Sequence, residues 1–191
     1  MTVIVKVGGS LEADPHRRRA LLARLADGTH GRCIIVPGGG TFAGAVRAAQ
    51  MREGFSDAEA HRRALDAMSD AAGIFRGIEP RLVQTFEPWA EAGSATARVW
   101  NPRRLRAGHP DIPETWDVTS DSLALWLAGR IDAESCVLVK SRDAAPAQDA
   151  AALAQDGLVD AAFPSFAARY AGRIEIWGPS GPVPVTARAA A

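Results

Sequence analysis

A parallel α/β fold with helices on both faces of its sheet is predicted for this chain. Three observations predict it. Apolar runs of strand length recur along the 191 residues, and stretches with helical spacing separate them. Two of the runs also pass through glycines straight into the next element, as strands of such sheets do where they meet a ligand.

The first strand is "TVIVKV" (2–7), and "ADPHRRRALLARLADG" follows as a helix with Leu21, Leu22 and Leu25 on one face and Gly28 as its stop signal. "RCIIVP" (32–37) is the second strand, and "TFAGAVRAAQM" after a triple glycine is the second helix. The clearest helix is "SDAEAHRRALDAMSDAAGIF" (56–75). Ser56 and Glu59 make a capping box there, and Leu65, Met68, Ala72 and Phe75 form a core stripe. A short helix is expected over 80–93, a strand over "TARVW" (96–100) and loop or edge structure over 101–116. "SDSLALWLAGRI" (120–131) reads as a helix giving Leu123, Trp126 and Leu127 to the core, and "SCVLVK" (135–140) as a strand. An Ala-rich helix over 144–156, a short segment near "FPSFAARY" and a last strand "RIEIWG" (173–178) complete the pattern, with "VTARAAA" (185–191) as a frayed tail.

Composition narrows the function classes. Lys plus Arg and Asp plus Glu both number 22, so no net basic field draws the chain to nucleic acid or an anionic membrane. The clusters "HRRR" (16–19) and "HRR" (61–63) read as solvated helix faces. Cys33 and Cys136 lie in separate apolar runs, which fits buried thiols in a reducing compartment. No signal peptide and no membrane-length apolar run is visible, so the expected location is the cytoplasm. His16, His30, His61 and His109 have no paired spacing, so no metal site is expected.

The chemistry concentrates at strand ends. Alternation along the first strand puts Val3, Val5 and Val7 on one face and Ile4 and Lys6 on the other. Lys6 lies near the C-terminal end of its strand, and Gly8 and Gly9 have no Cβ to keep a phosphate from the backbone N–H groups. "IIVPGGGTFAGAVR" (34–47) repeats the arrangement. Gly38, Gly39 and Gly40 precede a helix N-terminus with free N–H groups, and Arg47 lies two turns in, suited to a phosphate or carboxylate. Neither loop is a Walker motif or GxGxxG, which counts against a dinucleotide-binding oxidoreductase. Lys140 repeats the position of Lys6 at the end of a later strand, followed by Ser141 and Asp143, and Asp121 stands at a loop-to-helix junction between them. Asp117 reads as the N-cap of that helix. Two lysines, two glycine loops and an aspartate suit phosphoryl transfer, in which positioning and electrostatics do most of the work.

At these residues the chain resembles the amino acid kinase superfamily. The motifs that carry the resemblance are "KVGGS" (6–10), "PGGGTFAGAVR" (37–47), "TSDSLALWLA" (119–128) and "VLVKSRD" (137–143), in family order over most of the chain. The resemblance implies a three-layer α/β/α sandwich with a mainly parallel sheet. It implies one domain over 1–191, with an acceptor-binding part (1–115) and a shortened nucleotide-binding part (116–191). It also implies ATP with Mg2+, a small-molecule acceptor and a homodimer or larger homo-oligomer. By resemblance, Lys6, Asp121 and Lys140 are catalytic, and Gly8, Gly9, Ser10, Ser141 and Asp143 hold the nucleotide. Gly38, Gly39, Gly40 and Arg47 hold the acceptor. Within the superfamily the chain looks most like the methanofuran-pathway branch, whose acceptor is an (aminomethyl)furanylmethyl phosphate. It departs from the family after Lys140, where no V-D-G follows Asp143 and the remainder is short. That departure leaves a non-catalytic, ligand-binding relative as the alternative.

Overall fold

The computed structural model describes residues 2–90, 95–146 and 148–186. Its elements in chain order are β1 (Thr2–Val7), a 3-10 helix (Gly9–Ala13), α1 (Pro15–Ala26), β2 (Arg32–Pro37), α2 (Gly40–Glu53) and α3 (Asp57–Ile78). Then come β3 (Val83–Thr85), β4 (Ala97–Trp100), a second 3-10 helix (Pro102–Ala107), α4 (Ser120–Arg130), β5 (Ser135–Val139), α5 (Ala150–Gln155), α6 (Phe163–Ala167), β6 (Arg173–Gly178) and β7 (Gly181–Val185).

The strands form one seven-stranded sheet in the order β3-β4-β2-β1-β5-β6-β7, parallel throughout except for β7 against β6. β1 lies at the centre, with Lys6 opposite Val36 on one side and Leu138 on the other. Its alternation is as the sequence implies. Ile4 joins the core layer under α4, while Val5 and Val7 join the opposite layer with Leu21, Leu22 and Leu25 of α1. The expected stripe of α3 is buried, Leu65 and Met68 in the first layer and Ala72 and Phe75 in the second. Ser56 caps α3 by accepting from the Glu59 N–H at 3.2 Å, while the Glu59 carboxylate turns outward to Arg63.

In α4 every residue from Ser120 to Ala128 is buried, as suits a helix enclosed on all sides. Trp126 stacks on Trp100 of β4 at 6.1 Å and meets Trp89 edge-on at 5.6 Å. Cys33 and Cys136 are buried free thiols, and burial pushes the Cys33 thiol up to about 12.

Several expectations change. The stretch from 80 to 90 is not a helix; it holds the three-residue β3, while 91–93 lie outside the described residues. The Ala-rich helix over 144–156 shrinks to α5, capped by Asp149, whose carboxylate accepts from the Ala152 N–H at 2.8 Å. The start of the expected frayed tail is ordered: Val185 pairs with Ile174 in β7, and Thr186 bridges to Asp149, while 187–191 lie outside the described residues. Neither arginine cluster is simply solvated. Arg17 donates to the Lys140 carbonyl at 2.8 Å and the Trp177 carbonyl at 3.2 Å, tying α1 to the ends of β5 and β6. His61 is buried, and Arg62 pairs with Glu114 at 2.7 Å. Among the described residues no helix is long and apolar enough to cross a membrane.

Candidate active site

Lys6 and Lys140 reach the same carboxylate from neighbouring strands. Lys6 Nζ lies 2.8 Å from Asp121 Oδ1, and Lys140 Nζ lies 2.8 Å from each Asp121 oxygen. All three residues are buried. Burial alone would raise the Asp121 carboxyl, but the ammonium groups of Lys140 and Lys6 outweigh it and hold the group at about 2. Burial, with the charge of Lys6, brings Lys140 down to about 8 against the pull of Asp121. With all three ionised, one carboxylate faces two ammonium groups, so the trio carries a net positive charge in a site of low polarisability. Such a trio favours a further anion, and the Asp160 carboxylate, close enough to act on Lys140 and Asp121, supplies part of that charge.

Asp121 stands in the first turn of α4, and that turn is fixed from a distance. The expectation that Asp117 caps α4 is corrected: Thr119 is the N-cap residue, and its own side chain makes no cap hydrogen bond. The half-buried Asp160 carboxylate does this work. It accepts from the Thr119 N–H at 2.9 Å, the Thr119 hydroxyl at 2.8 Å, the Ser122 N–H at 3.0 Å and the Ser122 hydroxyl. Burial and the nearby Asp121 charge push the Asp160 carboxyl above its ordinary range. Asp117 instead offers its carbonyl to the Ala162 N–H at 2.9 Å.

Both glycine loops lie beside this trio and touch each other through bare backbone. The Gly8 N–H donates to the Val139 carbonyl at 3.3 Å, and a Cβ on Gly8 would stand 3.2 Å from Lys6 Nζ. A Cβ on Gly9 would stand 2.5 Å from the Gly40 nitrogen, and one on Gly38 would stand 2.6 Å from the Gly9 nitrogen. No side chain fits between the loops. The start of α2 is not wholly free, however. Gly40 has φ +53°, and the Thr41 N–H donates to Glu12 Oε2 at 3.0 Å, so a carboxylate of the chain already sits on this helix end.

Between the second loop, α3 and the start of α4 lies a cavity of about 320 Å³. Gly38, Gly39, Gly40 and Arg47 line it, which brings together the four residues assigned to the acceptor. Four other lining or supporting residues, Trp116, Gln50, Asp57 and His61, were missed by sequence reasoning. The Arg47 guanidinium lies 4.0 Å over the Trp116 ring, and the Trp116 N–H donates to Gln50 Oε1 at 2.6 Å. Gln50 in turn donates to Asp57 Oδ1 at 2.8 Å. His61, read as part of a solvated cluster, lines the same cavity. The only available signal was the helical spacing of His61 with the Leu65 and Met68 stripe.

Asp143 is placed differently from the rest. Its carboxylate accepts from the Ser180 N–H and the Ser180 hydroxyl, each at 2.8 Å, fastening the strand end to the β6–β7 turn. Ser141 is exposed beside Lys140, and Ser10 is exposed at the mouth of the first loop.

No family model matches the chain. Among curated proteins it is similar to [5-(aminomethyl)furan-3-yl]methyl phosphate kinase of Methanocaldococcus jannaschii, 25% identical over 142 residues, 73% of this chain. The match spans 66% of that relative, just under two thirds of its length. Among solved structures, uridylate kinase from Archaeoglobus fulgidus superposes with a TM-score of 0.66 at 16% identity, over 92% of this chain and 90% of that one. UMP kinase from Ureaplasma parvum gives 0.61 at 11% identity, over 96% and 92%. The chain has the fold of these uridylate and UMP kinases. The mainly parallel α/β fold that the resemblance implied is therefore the fold observed. The central strand β1 carries Lys6 near its C-terminal end, and Gly8 and Gly9 follow it at the edge where open parallel sheets bind ligands.

Proposed function

We propose that the chain is an ATP-dependent kinase that transfers the γ-phosphoryl group directly to a small phosphorylated acceptor. The observation that carries this reading is the buried Lys6–Asp121–Lys140 trio, one positive charge in excess, beneath two glycine loops in backbone contact. Lys6 and Lys140 offset the charge on the donor phosphates, the N–H groups of Gly9 and Ser10 cradle them, and Gly8, whose N–H is held by the Val139 carbonyl, leaves room for their approach. Asp121 holds both ammonium groups in place. The acceptor lies in the cavity lined by Gly38–Gly40 and Arg47. Its oxygen attacks in line, and the bond between the γ-phosphorus and the β,γ-bridging oxygen breaks as the new bond forms. Among the described residues no three His, Cys, Asp or Glu come together as a metal cage. Magnesium would come with the phosphates of ATP and would add its positive charge to that of Lys6 and Lys140. The similarity to the furanylmethyl phosphate kinase supports an (aminomethyl)furanylmethyl phosphate as acceptor, and with it a place in methanofuran-type C1 carrier synthesis.

A second reading, a ligand-binding relative without turnover, is favoured by Asp143, whose carboxylate is occupied by Ser180. Calorimetric titration of Mg·ATP into the protein and into Lys6→Ala separates the two. Binding that weakens about tenfold or more in the variant, with ATP consumed when the furanylmethyl phosphate is added, supports the kinase. ATP binding with no phosphoryl transfer to any phosphorylated acceptor supports the second reading. Equal ATP affinity in the folded variant removes Lys6 from the donor site.

A further inference from the structure

His61 is a buried titratable group in the acceptor cavity that phosphoryl transfer does not use. It sits on the first turns of α3, 4% exposed, facing the glycine loop and Arg47 across the cavity. Its Nδ1 lies 3.3 Å from the Thr115 carbonyl oxygen. A carbonyl can only accept, so Nδ1 carries the proton. The ring is neutral, because burial lowers its affinity for a second proton, more than Glu114 and the Thr115 contact restore. Nε2 is therefore a bare lone pair. It has no hydrogen-bond partner among the described residues, and it is not among the buried polar atoms sealed away from solvent without one. The cavity reaches His61, which lines it.

The lining of that cavity sharpens the point. No carboxylate belongs to it, its walls include Leu65, Met68 and Leu123, and the Thr119 hydroxyl proton is committed to Asp160. A ligand lodged there through its phosphate at Arg47 and the glycine loop meets the bare Nε2 of His61 on the facing wall, a stronger acceptor than the Ser120 hydroxyl that also lines the cavity. Leaving that acceptor unpaired beneath an apolar ligand wastes a desolvated polar group, so a ligand that donates to it is selected.

We infer that His61 is a specificity-determining residue, whose Nε2 accepts a hydrogen bond from an N–H or O–H group on the acceptor at the end remote from its phosphate. This inference rests on the reading of the cavity as the acceptor site. The substrate class is then a small phosphate ester bearing an amine or hydroxyl on the opposite side of an apolar body.

The test uses three furanylmethyl phosphates that differ only in carrying an aminomethyl, hydroxymethyl or methyl substituent. Each is titrated into the wild-type protein, His61→Phe and His61→Asn, and Mg·ATP is titrated separately. Asn keeps a donor toward the Thr115 carbonyl but has no acceptor where Nε2 lies, which guards against a variant that merely fails to fold. The expected result is that the wild type binds at least one donor-bearing ester about tenfold tighter than the methyl ester, and up to about a hundredfold if the donor is an ammonium. Both variants should bind all three alike, near the wild-type affinity for the methyl ester. A preference for the aminomethyl over the hydroxymethyl ester identifies the donor as the amine, and the reverse identifies a hydroxyl. Equal wild-type affinity for all three esters, or a preference that survives in both variants, overturns the role of His61. If no ester binds while Mg·ATP does, the assigned substrate class fails and the donor site stands; if Mg·ATP does not bind either, the kinase reading itself fails.

Discussion

Gly9 and Gly40 are in backbone contact across the two loops that flank the Lys6–Asp121–Lys140 trio, with no room for a methyl group between them. Gly9→Ala must therefore move one main chain against another. A stability loss of about 1–3 kcal/mol is expected, with phosphoryl transfer lost more completely than the fold. Thermal unfolding and turnover measured side by side check this. Gly73→Ala on α3, where an added Cβ meets nothing within 4 Å, is the matched control and should stabilise by about 0.5–1 kcal/mol. Equal behaviour of the two variants would contradict the close approach.

Removing the shared carboxylate should be severe. Asp121→Asn leaves two buried ammonium groups facing each other, and a loss of about 3–5 kcal/mol is expected in denaturant unfolding. The sign with pH follows from the depressed carboxyl. Its stabilisation is present above the ordinary Asp range and fades as pH falls toward about 2. The wild-type-minus-variant difference should shrink over that interval, and a difference independent of pH would argue against an ionised Asp121.

Lys140 gives the opposite limb. Its folded value near 8 lies below that of an unfolded lysine, so the folded chain binds fewer protons between about pH 8 and 10.5. Folding stability should rise with pH over that window, while affinity for Mg·ATP falls as the ammonium is lost. Lys140→Arg keeps its charge there and should flatten the alkaline fall in affinity. Calorimetry across the window decides, and an unchanged limb in the variant would assign the fall to another group.

Glu12 competes for a helix end. Because its carboxylate holds the Thr41 N–H, Glu12→Gln should tighten binding of the phosphate-bearing acceptor by about two- to fivefold, the scale of a single charge at a helix terminus. Titration of the acceptor without nucleotide measures it. Weaker binding in the variant would show instead that Glu12 fastens the first loop in its working position.

What could be read from the sequence was what is local. Lys6 declared its face by alternation within six residues, and both glycine loops stood next to their strands. Leu65, Met68, Ala72 and Phe75 declared α3 by period. The features that escaped depend on distant partners. Asp160 caps a helix that begins some forty positions earlier, so no window contains both, and Asp117 took its place by mere proximity. His61 was hidden by Arg62 and Arg63, whose charges dominate the local composition although the three side chains leave the helix in different directions. β3 is too short to show a period, and β7 carries Pro182 and Pro184, which argue against a strand except at an edge.

Those prolines matter beyond their own strand. β7 is the last strand on its side of the sheet, and N–H groups alternate in direction along a strand. Pairing with β6 turns the nitrogens at 182 and 184 outward, and neither bears a hydrogen. The outward rim of β7 thus cannot donate at these two positions to an incoming strand, and the opposite rim is a strand of only three residues. Copies of this chain meeting one another are steered away from joining their sheets into a continuous ribbon. The same blunted margins work against a newly made chain recruiting others into a fibre.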